Sequence, residues 1–345
     1  MMNHSSKNPF KVEPETLIEG KWHKKQYKII KELGSGANGI VYLAKLNSSY
    51  VALKMSDNGM SIISEVNVLK SFEKVQGSAL GPSLLDVDDW EGLKGRISFY
   101  AMEYIQGPDL LTYIQEKGKV WTMVMILQLL NDLDKLHKNG WVFGDLKPDN
   151  LIVTGPPAKI RCIDVGGTTI QGRAIKEFTE FFDRGYWGLG TRKAEPSYDL
   201  FSVAMILINT AYPKRFNKTS GGLTQLREAI MKSNELQPLE EVLIKALKGD
   251  YASATQMREQ LLNLINPSER RVERREPLSP SPKPENSSIS QRSQSVQRQN
   301  KTVQTASRRT YIKNKHKKRG GWKETILIFV ALALFYTLYI FGKLL

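Results

Sequence analysis

Four residues, Asp145, Lys147, Asn150 and Asp164, have the types and spacing for chemistry on a phosphoryl group. Three of them fall in Trp141-Val142-Phe143-Gly144-Asp145-Leu146-Lys147-Pro148-Asp149-Asn150-Leu151-Ile152-Val153, and the fourth in the stretch IRCIDVG from Ile160 to Gly166. A carboxylate at Asp145 can accept the proton of a substrate hydroxyl, and the Lys147 ammonium can neutralise charge on a transferred phosphoryl. Asn150 and Asp164 offer oxygens to Mg²⁺. That ion keeps phosphates and waters in its shell, so one amide and one carboxylate suffice from the protein.

The elements around these residues follow from periodicity. Tyr27 to Leu46 (YKIIKELGSGANGIVYLAKL) alternates, breaks at Gly34, Gly36 and Gly39, and alternates again from Val41, which reads as strand, turn, strand. Glycines let such a hairpin close over phosphates and present backbone N–H groups to them, although an ordinary glycine hairpin shares the pattern. A dinucleotide site would need a helix after the last glycine, and a strand follows here. Val51-Ala52-Leu53-Lys54 reads as a strand ending in a cation suited to the α- and β-phosphates. Glu65 lies in Ser61 to Phe72, where Ile62, Val66 and Leu69 keep helical spacing. It could hold Lys54 in position or be a solvated surface carboxylate. Met123 to His137 carries one apolar helical face that Gly140 ends, and Leu200 to Ala211, opened by Asp199, is apolar all round and reads as a buried helix. The stretch IRCIDVG reads as a short strand ending in Asp164.

With the glycine-rich loop, VALK, the Asp-x-Lys-x-x-Asn loop, the Asp-x-Gly motif and Asp199-x-x-Ser202 in that order, the chain resembles the Hanks-type bacterial serine/threonine protein kinases over residues 27–265. The resemblance implies an α+β fold of two lobes, β-rich then helical, with ATP between them and Mg²⁺, or Mn²⁺ in its place, as the metal. It implies that Gly34, Gly36, Gly39, Val41, Ala52, Lys54 and Glu65 bind ATP, that Met102 to Gly107, through Glu103 and Tyr104, receives adenine, and that Asp199 braces the catalytic loop. The order of motifs, with the basic tail and apolar C-terminus, is similar to kinases of endospore-forming bacilli, which implies a forespore or septal membrane. Three departures stand out. Phe143-Gly144 replaces the usual His-Arg, so no arginine is present to read a phosphate on the activation loop. Val165 replaces a phenylalanine, and Phe143 with Val165 could fill one hydrophobic stack between them. An Ala-Pro-Glu motif cannot be placed; by spacing it would fall at Arg184-Gly185-Tyr186, and Ala194-Glu195-Pro196 lies too near Asp199.

The rest of the 345 residues divides by composition. Segment 1–22 has no apolar run of a signal peptide, 23–266 forms the catalytic domain, 267–321 is a basic linker, and 322–345 is a membrane anchor. Between Pro267 and Arg319 the chain holds 15 Lys/Arg against 4 Glu, and few large apolar residues, so it reads as disordered. Thr325 to Gly342 (TILIFVALALFYTLYIFG) runs 18 residues without a charge. At about 1.5 Å per residue it spans roughly 27 Å, close to a bilayer core of roughly 30 Å. The adjacent KNKHKKR places the kinase domain on the cytoplasmic side of a single-pass protein of the cell membrane.

Arg292, Arg298, Lys301, Arg308, Arg309, Lys313, Lys315, Lys317, Lys318 and Arg319, with no acid among them, suit phosphate-directed contact with duplex DNA or with anionic lipids. Serines and threonines in the linker, among them Ser290, Ser293, Thr302 and Thr310, would lower its charge if autophosphorylated, and trans-autophosphorylation implies self-association. Protein substrates are the principal partners expected. The competing readings are a pseudokinase scaffold at the membrane and a small-molecule phosphotransferase. The single cysteine, Cys162, has no intrachain partner for a disulfide.

Overall fold

The computed structural model describes residues 11–36, 38–74, 80–92, 95–219 and 221–265. The basic linker and the apolar C-terminal stretch, with every linker residue named above, lie outside the described residues.

The N-lobe is a six-stranded antiparallel sheet of β1 (Leu17–Glu19), β2 (Gln26–Gly36), β3 (Gly39–Leu46), β4 (Ser49–Ser56), β5 (Leu84–Gly92) and β6 (Gly95–Glu103), in the order β1-β2-β3-β4-β6-β5. β1 lies within segment 1–22 and pairs with β2, Ile18 opposite Tyr27. On one face Tyr27, Ile29, Leu53, Met55 and Phe99 form a small apolar core, with the Tyr27 and Phe99 rings edge to face at 5.5 Å. Against the other face packs α1 (Gly59–Lys74), which buries Ile62, Val66 and Leu69. That spacing turns one stripe of the helix to the sheet.

The C-lobe carries α2 (Leu110–Lys117), α3 (Val120–Lys138), α4 (Arg184–Trp187), α5 (Pro196–Ala211), α6 (Leu223–Lys232), α7 (Glu240–Lys248) and α8 (Ala254–Ile265). Asp109 caps α2 by accepting the N–H groups of Leu111 and Thr112, each at 3.0 Å. Every residue of α5 from Tyr198 to Asn209 is buried, which is what an all-apolar helix requires. α5 begins at Pro196, three residues before Asp199, because proline at the first turn has its φ already set for a helix and lacks only an N–H that the helix would leave unpaired.

Short strands carry the catalytic stretches: β7 (Trp141–Val142), β8 (Leu151–Thr154), β9 (Lys159–Cys162) and β10 (Thr169–Ile170). β8 pairs with β9, and β7 with β10. The strand expected to run to Asp164 stops at Cys162. The Ile163 N–H still donates in register to the Asn150 carbonyl at 3.0 Å, but Asn150 already belongs to the turn Pro148–Asn150, so no partner strand remains to pair with Asp164. Cys162 itself is fully buried and unpaired, and burial pushes its thiol well above the ordinary range, so it stays protonated and inert.

Candidate active site

Between the lobes lies a cavity of about 570 Å³, a volume ordinary for a small-molecule site. Gly34, Gly36, Gly39, Val41, Ala52 and Lys54 line it from the N-lobe, Glu103 and Tyr104 from the segment that joins the lobes, and Asn150 and Asp164 from the C-lobe. The β2–β3 hairpin narrows to the pair Gly36 and Gly39. Gly39 has φ of +133°, and a side chain there would run into the Met55 carbonyl, so the fold itself demands glycine. At Gly34 and Gly36 the demand is different. A Cβ at either would meet nothing within 4 Å among the described residues, so packing against them does not select glycine there. The bare backbone leaves room for the close approach of a ligand such as a polyphosphate.

Behind the hairpin, Lys54 on β4 donates to Glu65 Oε2 at 2.6 Å. Glu65 also accepts the Tyr100 hydroxyl at 2.7 Å and the Ser61 hydroxyl at 3.3 Å. Lys54 is 8% exposed and Glu65 3%, and burial of such a pair costs more than a surface pair returns. An ammonium has three donors, and only one is used on Glu65. Burial, reinforced by the Glu65 charge, pushes the Tyr100 phenol far above its usual range, which keeps it a donor.

β6 ends at Glu103, where the connecting segment begins. The Glu103 carboxylate is clamped by the Arg161 guanidinium through two bonds of 2.8 Å, and Arg161 also donates to the Gly81 carbonyl at 2.7 Å. The Arg161 hydrogen bonds hold the Glu103 carboxyl below the ordinary carboxylate range. That side chain braces the connection, where Tyr104 and Ile105 also line the cavity.

On the C-lobe side, Asp145 Oδ2 accepts from Lys147 Nζ at 2.7 Å, Asp145 Oδ1 accepts the Thr179 hydroxyl at 3.0 Å, and Lys147 Nζ reaches Thr179 Oγ1 at 3.1 Å. This triangle fixes a carboxylate and an ammonium side by side. The Asn150 amide donates to the Asp145 carbonyl at 3.1 Å, and Asp164 Oδ1 accepts the Gly166 N–H at 3.0 Å. An amide oxygen and a carboxylate at the mouth of a polyphosphate-sized cavity suit Mg²⁺, a hard cation that takes oxygen ligands.

The catalytic loop hangs on Asp199. Fully buried in α5, it accepts the N–H groups of Phe143 at 2.8 Å and Gly144 at 2.9 Å and bonds His137 Nε2 at 2.8 Å. Gly144 has φ of +87°, and a Cβ there would stand 2.6 Å from the Gly167 carbonyl. An arginine is therefore not merely missing from this position; the backbone excludes any side chain. Phe143 and Val165 are both buried in one core with Leu69.

The place where spacing put an Ala-Pro-Glu motif is α4, organised differently. The buried Asp183 caps it, accepting from Gly185 N at 3.0 Å and Tyr186 N at 2.9 Å, and binds the Tyr198 hydroxyl and the Arg192 guanidinium at 2.8 and 2.6 Å. Arg184 ties the same segment to the Thr191 carbonyl and to Ser197. Sequence reasoning passed over Asp183, Asn38 and Glu177, none of which belongs to a local pattern that would have marked it.

Comparison with known proteins agrees with the geometry. The protein kinase domain family matches residues 27–274. The chain is 52% identical to the serine/threonine-protein kinase YabT of Bacillus subtilis (strain 168), over 95% of each chain. It is 25% identical to a probable serine/threonine-protein kinase of Clostridium acetobutylicum, over 70% of this chain and 40% of that one. It is 31% identical to the serine/threonine-protein kinase RIM15 of Saccharomyces cerevisiae, over 37% of this chain and 8% of that one. A two-lobed fold with the lysine, carboxylates and amide gathered on one cleft, matched along nearly its whole length by a bacterial kinase, belongs to the protein kinase family, among its serine/threonine kinases.

Proposed function

We propose that this kinase transfers the γ-phosphoryl group of ATP to serine and threonine hydroxyls of proteins from a position at the cell membrane, and that its basic linker makes it responsive to duplex DNA. The observation that carries the chemical part is the Asp145, Lys147 and Thr179 triangle beside Asn150 and Asp164.

In this reading the glycine-rich hairpin and Lys54 orient the triphosphate, with Glu65 keeping Lys54 extended into the cleft. The Asp145 carboxylate receives the acceptor's proton while Lys147 offsets charge on the phosphoryl oxygens, and Thr179 holds both groups at their angle. Asn150 and Asp164 would hold Mg²⁺, which when bound supplies charge neutralisation of the phosphate oxygens. Most of the rate gain in phosphoryl transfer comes from such positioning and electrostatics, and the cleft places each group before reaction begins. Incubation of the full chain with ATP-Mg²⁺ and a generic protein acceptor should give phosphoserine and phosphothreonine, and Asp145→Asn should abolish both. Labelled product from the Asn variant at the wild-type rate would overturn the assignment.

The membrane and DNA parts rest on sequence. Residues 322–345 anchor the chain with the kinase domain on the cytoplasmic side, at a forespore or septal membrane by analogy with YabT. Ten cations between Arg292 and Arg319 bind duplex DNA without sequence preference, so log K should fall with log salt by about 0.9 per phosphate contacted. DNA would gather several kinases on one polymer and favour trans-autophosphorylation by raising local concentration. Replacing those ten residues with Gln should remove DNA binding and DNA stimulation together and leave basal activity. Binding to anionic vesicles with no response to DNA at low salt would assign the linker to lipid instead.

A further inference from the structure

Glu177 is a carboxylate in the nucleotide cleft that phosphoryl transfer does not call for. It lines the cavity with Lys54, Asn150 and Asp164, and it lies near enough to Asp164, Lys54, Glu65 and Asp145 to interact with their charges. Its oxygens and Asp164 Oδ1 converge on Gly166: a Cβ at that glycine would lie 3.2 Å from Glu177 Oε1 and 3.3 Å from Asp164 Oδ1. Asn38, at the tip of the glycine-rich hairpin, donates to Glu177 Oε1 across the mouth of the cleft. The next residue back, Lys176, donates to Ser64 on α1 at 3.0 Å. The activation segment thus clasps two elements of the N-lobe, the hairpin that covers phosphates and the helix that presents Glu65.

The charges around Glu177 are mostly of its own sign. Burial raises its carboxyl pKa most, Asp164, Glu65 and Asp145 raise it further, and Lys54 opposes them. A triphosphate brings further negative charge to the same end of the cavity, and like charges at close quarters in a partly desolvated cleft repel strongly. The Asn38 bond also occupies the hairpin tip that must close over those phosphates.

We propose that Glu177, held by Asn38, is an autoinhibitory latch across the phosphate end of the cleft, which nucleotide phosphates must displace before the hairpin can close on them. The latch rests on the reading of this cavity as the ATP site, and it acts on phosphates and not on adenine. It makes the apparent affinity for ATP lower than the affinity of the open cleft by the fraction of molecules that are unlatched. Any partner that draws the activation segment away would raise activity at limiting ATP without touching a catalytic group.

The test uses the full chain in detergent with Glu177→Gln, Glu177→Ala and Asn38→Ala. KM for ATP-Mg²⁺ and Kd for ADP should fall about three- to tenfold in both Glu177 variants, with kcat within about twofold of wild type. Asn38→Ala should move them in the same direction by less. Adenosine, which has no phosphate, should bind wild type and variants alike. A rise or no change in KM for ATP would overturn the latch, a rise marking Glu177 as a contributor to phosphate or metal binding. An equal shift for adenosine would overturn it too, because the effect would then not concern phosphates. Failure of adenosine and ADP to bind even the wild type would reject the nucleotide site itself.

Discussion

Two buried aspartates organise the C-lobe side of the cleft, and they do so with different partners. Asp199 holds the catalytic loop through two backbone N–H groups and one histidine nitrogen. Asp183 holds the activation segment through two backbone N–H groups, a tyrosine hydroxyl and an arginine. Both carboxylates are fully buried, and each is satisfied by at least three donors, as a charge in that position must be. The difference lies in what each loop does. In the reaction proposed above the catalytic loop, from Asp145 to Asn150, presents the groups that act on ATP, and the activation segment faces the protein substrate. There a brace of Asp183, Arg184 and Arg192 stands where spacing put an Ala-Pro-Glu motif. The first loop must hold reacting groups in a fixed geometry, while the second needs only a stable anchorage.

The sharpest way to break this contrast is at the catalytic loop and its metal side. Lys54→Met, Asp145→Asn and Asp164→Ala should each lower kcat by about 10³-fold or more; the thermal transition should stay within a few degrees of wild type in the two aspartate variants and fall further in Lys54→Met, which leaves the buried Glu65 carboxylate unpaired. Wild-type turnover in any of them removes that residue from the site. Next come the two anchors. Asp199→Ala leaves the Phe143 and Gly144 N–H groups buried without an acceptor and should cost about 3 kcal/mol of stability in chemical denaturation, with activity lost even where the fold persists. Asp183→Asn keeps one oxygen, enough for the Gly185 N–H and the Tyr198 hydroxyl, but sets an NH2 against the Tyr186 N–H and Arg192, and should cost about 1–3 kcal/mol. Its kinetic signature should be a raised KM for the protein acceptor with KM for ATP unchanged. Equal effects of the two variants on ATP and acceptor would erase the division of labour between the loops.

What the sequence made legible follows the same line. Gly34, Gly36 and Gly39, Lys54 on its strand, and the stretch from Asp145 to Asn150 are local patterns, each carried by a few consecutive residues with a period or spacing of its own. Strand alternation giving way to helical spacing after Met123 was legible locally, while the two lobes came from the resemblance carried by the order of the motifs. Contacts between distant segments left no such trace. Asn38 and Glu177 are 139 residues apart, and nothing at either position signals the other. The hinge position of Glu103 points to a contact for ATP; the residue does line the cavity, while its carboxylate turns to Arg161, 58 residues away. Asp183 fell outside the expected pattern because the brace it forms uses Arg192 and Tyr198, which no motif predicts.

The smallest effects belong to the hydroxyls of the activation segment, where the structure separates three threonines that look alike in sequence. Thr179 bonds both Asp145 and Lys147, so Thr179→Ala should lower kcat about 10- to 100-fold and Thr179→Ser should restore most of it. Thr168 and Thr169 are different in kind: both are buried, at 0% and 1% exposure. Thr168 Oγ1 has no hydrogen-bond partner among the described residues, and Thr169 Oγ1 donates to the Gly167 carbonyl at 2.9 Å. A phosphate on either would need the segment to open, and Gly144 offers no cation to receive it. Removal of an unpartnered buried hydroxyl costs little, so Thr168→Ala combined with Thr169→Ala should leave kcat/KM within about twofold of wild type and the fold intact by circular dichroism. Loss of activity in a folded double variant would mean that phosphorylation orders this segment after all. The Asp183 brace would then be one state of a switch, and the contrast with the permanently held catalytic loop would be one of regulation instead of anchorage.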